Sequence, residues 1–307
     1  MAVVDEIRRA CAAVACEADC VHLDDDAIPA YARSLPVAPA DLRPDPDIAV
    51  RDGPVETRAA FALTLAAINF GSGWWPEIRK RPGQSGAVTM AVGLRERFDT
   101  CGPWSADELA EIDRSTLAGV LGQDPAHELM GLYAASLRDL GRRVAAEYAG
   151  RFLAVAEAAG GSAVALVEEL ARWGCFADDS SYRGRRVPFL KRAQLACADL
   201  HHAGVASFDD LARLTLFADN LVPHVLRVDG ILVYDTDLLV RIDREVLLEH
   251  GSSEEVEIRA CAVEAVERLA RARPELSAQE LDHLLWNRGR GAAYKSRPRH
   301  RARCTAY

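Results

Sequence analysis

Ser252-Ser-Glu-Glu-Val-Glu-Ile-Arg-Ala-Cys-Ala-Val-Glu-Ala-Val-Glu-Arg-Leu269 reads as an amphipathic helix. Ser252 and Glu255 have the spacing of a capping box. In that motif a hydroxyl accepts an N–H of the first turn, and an acid three residues on accepts the cap's own N–H. Ile258, Ala262, Ala265 and Leu269 follow at steps of four, three and four, which places them on one helix face. Glu257, Glu264, Glu267, Arg268 and Arg271 take the intervening positions. The same start signal recurs at Ser105 with Glu108 and at Ser277 with Glu280, and more weakly at Ser207 with Asp210. Residues 56–69, 105–122, 126–158 and 160–174 also predict helix, the third broken near Gly150. Strand signals are confined to 231–234, after Gly230, and 186–189. Alternating strand–helix units are absent, which disfavours a doubly wound sheet. The expected fold class is mainly α with a few short strands.

Composition sets outer limits. The chain has 307 residues, 50% of them hydrophobic, enough for a sizeable core in one large domain or two merged ones. A net charge of −9 speaks against a grip on duplex nucleic acid, which calls for a basic face. No run of 18 apolar residues exists, so no membrane partner is expected. The start lacks the pattern of a signal peptide, and the expected localisation is cytoplasmic. Eight scattered cysteines without a Cys-x-x-Cys pair read as reduced thiols. Cys11, Cys16 and Cys20 with His22 raise the thought of a metal. Their spacing fits no zinc or iron–sulfur pattern, and Ala12, Ala13, Val14 and Ala15 among them suit a buried helix face. The expectation is no metal.

The Pro-rich stretch 35–54 is the best linker candidate. Residues 286–307 are polar and basic, which by composition suits a disordered tail; the aromatic ending at Tyr307 suits a docked segment better.

The second half carries an ordered set of phrases. It runs Tyr182-Arg-Gly-Arg-Arg-Val-Pro-Phe-Leu-Lys-Arg-Ala-Gln194, Ala198-Asp-Leu200, Leu214-Thr-Leu-Phe-Ala-Asp219 and Pro223-His-Val-Leu-Arg227. Glu254-Glu-Val-Glu-Ile-Arg-Ala260, Leu285-Trp286 and Pro298-Arg-His-Arg-Ala-Arg303 follow, with Tyr307 at the end. Earlier stand Asn69-Phe-Gly-Ser-Gly-Trp-Trp-Pro76 and Ser85-Gly86. In order and spacing this series closely resembles the queuosine salvage protein family, over roughly residues 60–307. The resemblance implies hydrolysis of queuosine 5′-phosphate to queuine and ribose 5-phosphate. It needs neither metal nor redox cofactor. It also implies a fold similar to the helical DNA glycosylases, with their helix-hairpin-helix and aspartate. The segment 200–211, with Gly204 turning and Ser207 capping, could be that hairpin. The expected organisation is a single domain over 1–307: an N-terminal helical segment and linker over 1–55, then a catalytic body over 56–307. Two alternatives stay open: a non-catalytic nucleotide-binding helical module, and a glycosylase for another modified base.

The chemistry needs a carboxylate against the sugar carbon, where positive charge develops as the N-glycosidic bond breaks. Asp219, in an apolar run, is the candidate. Read from the residues alone, it serves equally as a helix cap before Pro223. A 7-deazaguanine has carbon in place of N7, so its departure needs a donor at another ring atom. His224 is a candidate donor, with a packing role as the plainer reading. The resemblance places Asp282, His283 and Asn287 at the base pocket, although the family usually has an aromatic at the second position and an acid at the third. It places Phe217 as a ring stacked on the base. Lys191, Arg192, His300, Arg301, Arg303 and Tyr307 are the available phosphate donors. Glu255, Glu257 and Arg259 read either as a buried polar network supporting the pocket or as surface charge. Gly71-Ser-Gly73 with Trp74 and Trp75 reads either as a loop closing over ligand or as a turn after a helix.

Overall fold

The structure is a computed structural model that describes residues 2–36 and 52–307. Residues 37–51 of the candidate linker lie outside it. The chain opens with α1 (Val3–Glu17), β1 (Val21–Leu23) and α2 (Ile28–Ser34). A helical run follows: α3 (Val55–Ala67), α4 (Gly86–Cys101), α5 (Ala106–Ala110), α6 (Arg114–Leu121), α7 (Glu128–Tyr148), α8 (Phe152–Ala158) and α9 (Ala163–Leu170). A hairpin of β2 (Asp179–Tyr182) and β3 (Arg185–Pro188) leads into α10 (Lys191–His202). The last part holds α11 (Val222–Val228), β4 (Leu232–Tyr234), α12 (Thr236–Asp243), α13 (Ser253–Ala272), α14 (Ala278–Gly289) and α15 (Ala292–Lys295). The protein is thus mainly α. Its strands form two antiparallel pairs, β1 with β4 and β2 with β3. Arg183 and Gly184, at φ 49° and 76°, close the β2–β3 hairpin in the positive-φ conformation that suits strand twist.

The capping signals meet three different fates. Ser105 with Glu108 and Ser277 with Glu280 form reciprocal boxes. Ser252 accepts from the Glu255 N–H at 3.3 Å, but the Glu255 carboxylate turns away to accept from the Gly251 N–H at 3.1 Å. Ser207 starts no helix; only a 3-10 turn at Leu211–Arg213 follows. Asp210 instead accepts from Ser162 Oγ at 2.7 Å and the Ala163 N–H at 2.6 Å, which satisfies free donors at the start of α9. The expected helix over 105–122 is two helices, because Asp113 caps a new start by accepting from the Thr116 N–H at 2.7 Å. The break near Gly150 is where α7 ends, with Ala149 and Gly150 both at positive φ.

α13 is the central helix. Ile258, Ala262, Ala265 and Leu269 are buried, but so are Glu255, Glu257, Arg259 and Glu264. The intervening positions are not a solvated face, because α1, α2, α11, α14 and β1 all pack on this helix. Glu257 accepts from the N–H groups of Cys20 and Val21, at 2.7 and 3.2 Å, and from Tyr182 Oη at 2.9 Å, tying β1 and β2 to α13. Arg259 donates to Asp178 Oδ2 at 2.8 Å and to the Ala218 carbonyl at 3.0 Å, and lies 3.7 Å from Glu255 Oε1. Its guanidinium is stacked between the rings of Phe189, at 3.9 Å, and Tyr307, at 4.7 Å.

The basic ending is docked. His300, Ala302, Cys304 and Ala306 are buried, whereas Arg299, Arg301, Arg303 and Thr305 are less so, the period of an extended segment. The Leu248 N–H donates to the Arg301 carbonyl at 2.9 Å, and the Gly71 N–H to the Tyr307 carbonyl at 3.0 Å. A Cβ on Gly73 would stand 2.5 Å from the Ala302 carbonyl oxygen. The Gly71–Gly73 stretch is therefore a turn that seats the last residues. All eight cysteines are free thiols. Among the described residues no His, Cys, Asp or Glu group could hold a metal ion, and no helix is long and apolar enough to cross a membrane.

Arg259→Leu should cost roughly 3–5 kcal/mol, because it strands the buried charges of Asp178 and Glu255. Urea unfolding measures this. Adding Asp178→Asn to the variant is expected to recover part of the loss; a double variant no more stable than the single one would count against the charge pairing.

Candidate active site

A cleft of about 260 Å³ opens where α3, α4, α10 and α14 converge on the segment between α10 and α11. One helix stripe of α10 supplies Lys191, Leu195 and Asp199. α14 supplies Asp282, His283, Trp286, Asn287 and Arg290. Phe217, Asp219, Asn220 and Leu221 form the floor, with Asn69, Trp75, Tyr133 and the start of α4 opposite. Lys295 and Arg299 complete the lining.

The floor has no helix or strand to hold it, so buried side chains fix it residue by residue. Gln194 Oε1 accepts from the Thr215 N–H at 2.8 Å, and Asp282 Oδ1 accepts from the Phe217 N–H at 3.2 Å. Arg259 Nε takes the Ala218 carbonyl, and Asn220 Nδ2 donates to the His300 carbonyl at 3.2 Å. Asp219 itself is half-buried. Its Oδ1 accepts from the N–H groups of Leu221 at 2.7 Å and Val222 at 3.2 Å. Asp219 therefore caps α11 with one oxygen and lines the cleft as well, so the two sequence readings coexist in one side chain.

Charge inside the cleft is strongly coupled. Burial, and then the neighbouring Asp219 charge, push the Asp282 carboxyl well above its ordinary value; the Phe217 N–H and Lys191 pull the other way. Asp282 is thus favoured as the neutral acid. Burial lowers Lys191 to about 8 against the pull of Asp219. Its Nζ donates to the Asn69 carbonyl at 2.8 Å and to Asn69 Oδ1 at 2.7 Å. His283 lies 6.3 Å from the Phe217 ring and 5.1 Å from His202. Its Nδ1 is 3.0 Å from the Gln279 carbonyl, which can only accept, so Nδ1 carries the proton. Burial lowers the His283 pKa, leaving Nε2 an acceptor.

Lys191, Phe217, Asp219, Asp282, His283 and Asn287 thus share one cleft. The other candidates stand elsewhere. Both ring nitrogens of His224 are engaged, Nε2 with the Tyr294 carbonyl at 2.9 Å and Nδ1 with Arg227 at 3.1 Å, so it has no donor to spare. Arg192 is buried, donates to the Ala67 carbonyl at 2.7 Å and lies over Phe70. His300 and Tyr307 are buried beside each other. Arg301 reaches the Glu245 carbonyl at 3.3 Å, and Arg303 pairs with Glu77 at 2.5 Å. Besides Lys191, the basic residues that line the cleft are Arg290, Lys295 and Arg299. Burial lowers Arg299, and Asp219 opposes it. The signal for Arg299 was the two-residue period of the ending, which turns it to the face opposite His300.

The sequence pattern of the queuosine salvage protein family matches residues 50–307. The chain belongs to that family. It is 39% identical over 267 residues to a queuosine 5′-phosphate N-glycosylase/hydrolase of Sphaerobacter thermophilus, covering 82% of each chain. It is 31% identical over 260 residues to the protein of that name from Dictyostelium discoideum, covering 80% of this chain and 77% of the relative. A Mus musculus protein of the same name is 30% identical over 189 residues, 56% of each chain.

Trp75 is held against the start of α4 because Gly86 has no side chain. A Cβ there would lie 2.5 Å from Trp75 Cγ. Elsewhere near a helix start, alanine for glycine is neutral or mildly stabilising. Gly86→Ala is expected instead to push Trp75 into the cleft, shift the tryptophan emission, and weaken ligand binding about tenfold or more. Unchanged emission and affinity would show that the wall yields without cost.

Proposed function

We propose that this chain hydrolyses the N-glycosidic bond of queuosine 5′-phosphate and releases queuine and ribose 5-phosphate. The observation that carries the reading is Asp219, pinned by one oxygen at the floor of the cleft beside Asp282, in a member of this family. A preorganised carboxylate at that place stabilises positive charge developing on the sugar without having to reorient.

The two acids then divide the work. The six-membered ring of a 7-deazaguanine presents a carbonyl oxygen next to an N1–H. A neutral carboxylic acid complements that edge, donating to the oxygen and accepting from the N–H. Asp282 is favoured in that form, and donation to O6 supplies the assistance that the missing N7 cannot receive. As the C1′–N9 bond breaks, its electron pair moves onto the base and the Asp282 proton neutralises it. Water adds at C1′ and gives its proton to Asp219, which passes it to solvent; solvent returns a proton to Asp282, and the released base, protonated at O6, tautomerises to the keto form. Paired carboxyl groups whose environments push their pKa values apart commonly take such opposite roles. Phe217, His283 and Trp286 are read as packing on the base, with Asn287 adding a polar contact. Lys191 is read as positioning Asn69 and balancing the two acids.

Arg299 and Lys295 are read as the phosphate contacts, with Arg290 adding charge. Arg299 lines the same cleft as Asp219, makes no ion pair among the described residues, and feels the Asp219 charge. The net charge of −9 supports a free nucleotide rather than duplex nucleic acid as the partner. We read α10, the turn at Gly204 (φ 64°) and the stretch into α11 as the counterpart of a helix-hairpin-helix.

Asp219→Asn should keep the α11 cap, since its side-chain oxygen still accepts, and so leave the melting temperature nearly unchanged. It should lower kcat about a hundred- to a thousandfold with a small change in KM. Release of queuine measured by mass spectrometry decides it, and near-normal turnover would leave Asp219 a cap only. Asp282→Asn retains a donor and an acceptor but has no proton to give. Its KM should stay within a few-fold while kcat falls about a hundredfold or more. Arg299→Gln should lower kcat/KM on the nucleotide roughly ten- to a hundredfold while sparing the nucleoside. Equal losses on both substrates would place the phosphate elsewhere.

A further inference from the structure

Residues 298–301 have no helix or strand of their own, yet they carry Arg299 into the cleft. The carbonyls on both sides of Arg299 are held, and both holds come from the segment that contains Asp219. Asn220, next to Asp219 in the chain, donates from Nδ2 to the His300 carbonyl at 3.2 Å. Arg227, in the last turn of α11, donates from Nη2 to the Pro298 carbonyl at 2.8 Å. Asp219 caps the first turn of the same helix, through the N–H groups of Leu221 and Val222. One short helix thus has Asp219 at its start and a clamp on the backbone of Arg299 at its end. A helix between two such points sets their offset more tightly than a loop would.

Arg227 does not line the cleft, so it touches no ligand there. Its Nη2 carries two hydrogens, and the second reaches His224 Nδ1 at 3.1 Å. His224 can accept because its Nε2 donates to the Tyr294 carbonyl at 2.9 Å and burial lowers its pKa to about 4. The Arg227 guanidinium also lies over the Tyr234 ring of β4, 5.7 Å from its centre. A ring, an imidazole and a carbonyl therefore fix one planar group. Tyr294 has a tie of its own, from Oη to Asp229 Oδ1 at 2.8 Å.

We infer that Arg227 is a positioning residue for the 5′-phosphate. It acts through the Pro298 carbonyl, holds Arg299 at a set offset from Asp219, and so makes the cleft prefer the nucleotide over the nucleoside. The inference rests on the reading of Arg299 as a phosphate contact given above. A charge-assisted hydrogen bond lost because its donor is misplaced is worth about ten- to a hundredfold in affinity.

The test is calorimetric binding of queuosine 5′-phosphate and of queuosine, with Asp219→Asn in every sample to slow hydrolysis. Arg227→Met, Arg227→Lys, Arg299→Gln and the double variant Arg227→Met with Arg299→Gln are compared with that parent. The ratio of the two affinities is read on each sample, so a partly unfolded variant leaves it intact. Arg227→Met should lower the nucleotide preference about tenfold or more and keep the nucleoside affinity within about threefold. Arg227→Lys retains a donor for the Pro298 carbonyl and should lose less. The double variant should lose no more than Arg299→Gln alone, because the two residues act in series. Equal losses on both ligands in Arg227→Met overturn the inference, as do an unchanged ratio, a loss as large in Arg227→Lys, or losses that multiply in the double variant. A preference that survives Arg299→Gln removes the phosphate contact and this inference together. One that falls in Arg299→Gln but not in Arg227→Met removes the inference alone. Turnover by the wild type is followed alongside; no release of queuine, with a preference that depends on both arginines, would defeat the proposed reaction and leave the inference standing.

Discussion

The buried guanidinium of Arg259 is the interaction on which the rest of the structure depends. A fully buried positive charge is tolerable only if its surroundings supply charge and acceptors on several sides. Here they come from distant parts of the chain: Asp178 ahead of the β2–β3 hairpin, the Ala218 carbonyl next to Asp219, Glu255 one turn away, and the rings of Phe189 and Tyr307. Asp178 Oδ2 also accepts the Lys191 N–H at 2.9 Å, so the same ion pair fixes the start of α10. One charge thus sets the positions of Lys191, Asp219 and the chain's last residues together. Planarity matters: a guanidinium can donate in its plane while rings cover both faces, which an ammonium cannot do.

The site is asymmetric by construction. Acids lie on the floor and along α10 and α14, and bases lie at the start of α10, on α14, on α15 and on the ending. Burial raises Asp282 well above its ordinary value, which favours its neutral form, while Lys191, lowered to about 8, keeps most of its charge near neutral pH.

How much of this was legible in the sequence follows the range of each interaction. The capping boxes at Ser105 and Ser277 are local, and the spacing alone reveals them. Ser252 kept its cap but lost its reciprocal acid, because Glu255 had a long-range use that no spacing records. Ser207 with Asp210 had the right spacing, and Asp210 went to another helix. The cleft residues on α10, α14 and the floor came from the ordered phrases of the second half, not from periodicity. Which basic residues reach the cleft was the least legible part. His300 and Arg299 are adjacent in sequence, and only the extended conformation of the ending decides which of them faces in.

The docking of the ending bears on how the protein comes to exist. Synthesis delivers residues 298–307 after every element they brace. Until they arrive, Arg259 lacks the Tyr307 ring, Gly71 lacks its acceptor and Asn220 lacks the His300 carbonyl. The floor of the cleft is then missing one of the side-chain ties that hold it. Nascent chains therefore have a helical body with an unfinished cleft, and pairing across so much sequence makes its completion a slow, late event. In that interval the charge of Arg259 and the surfaces that Ala302, Cys304 and Ala306 cover stand open to chaperones and proteases.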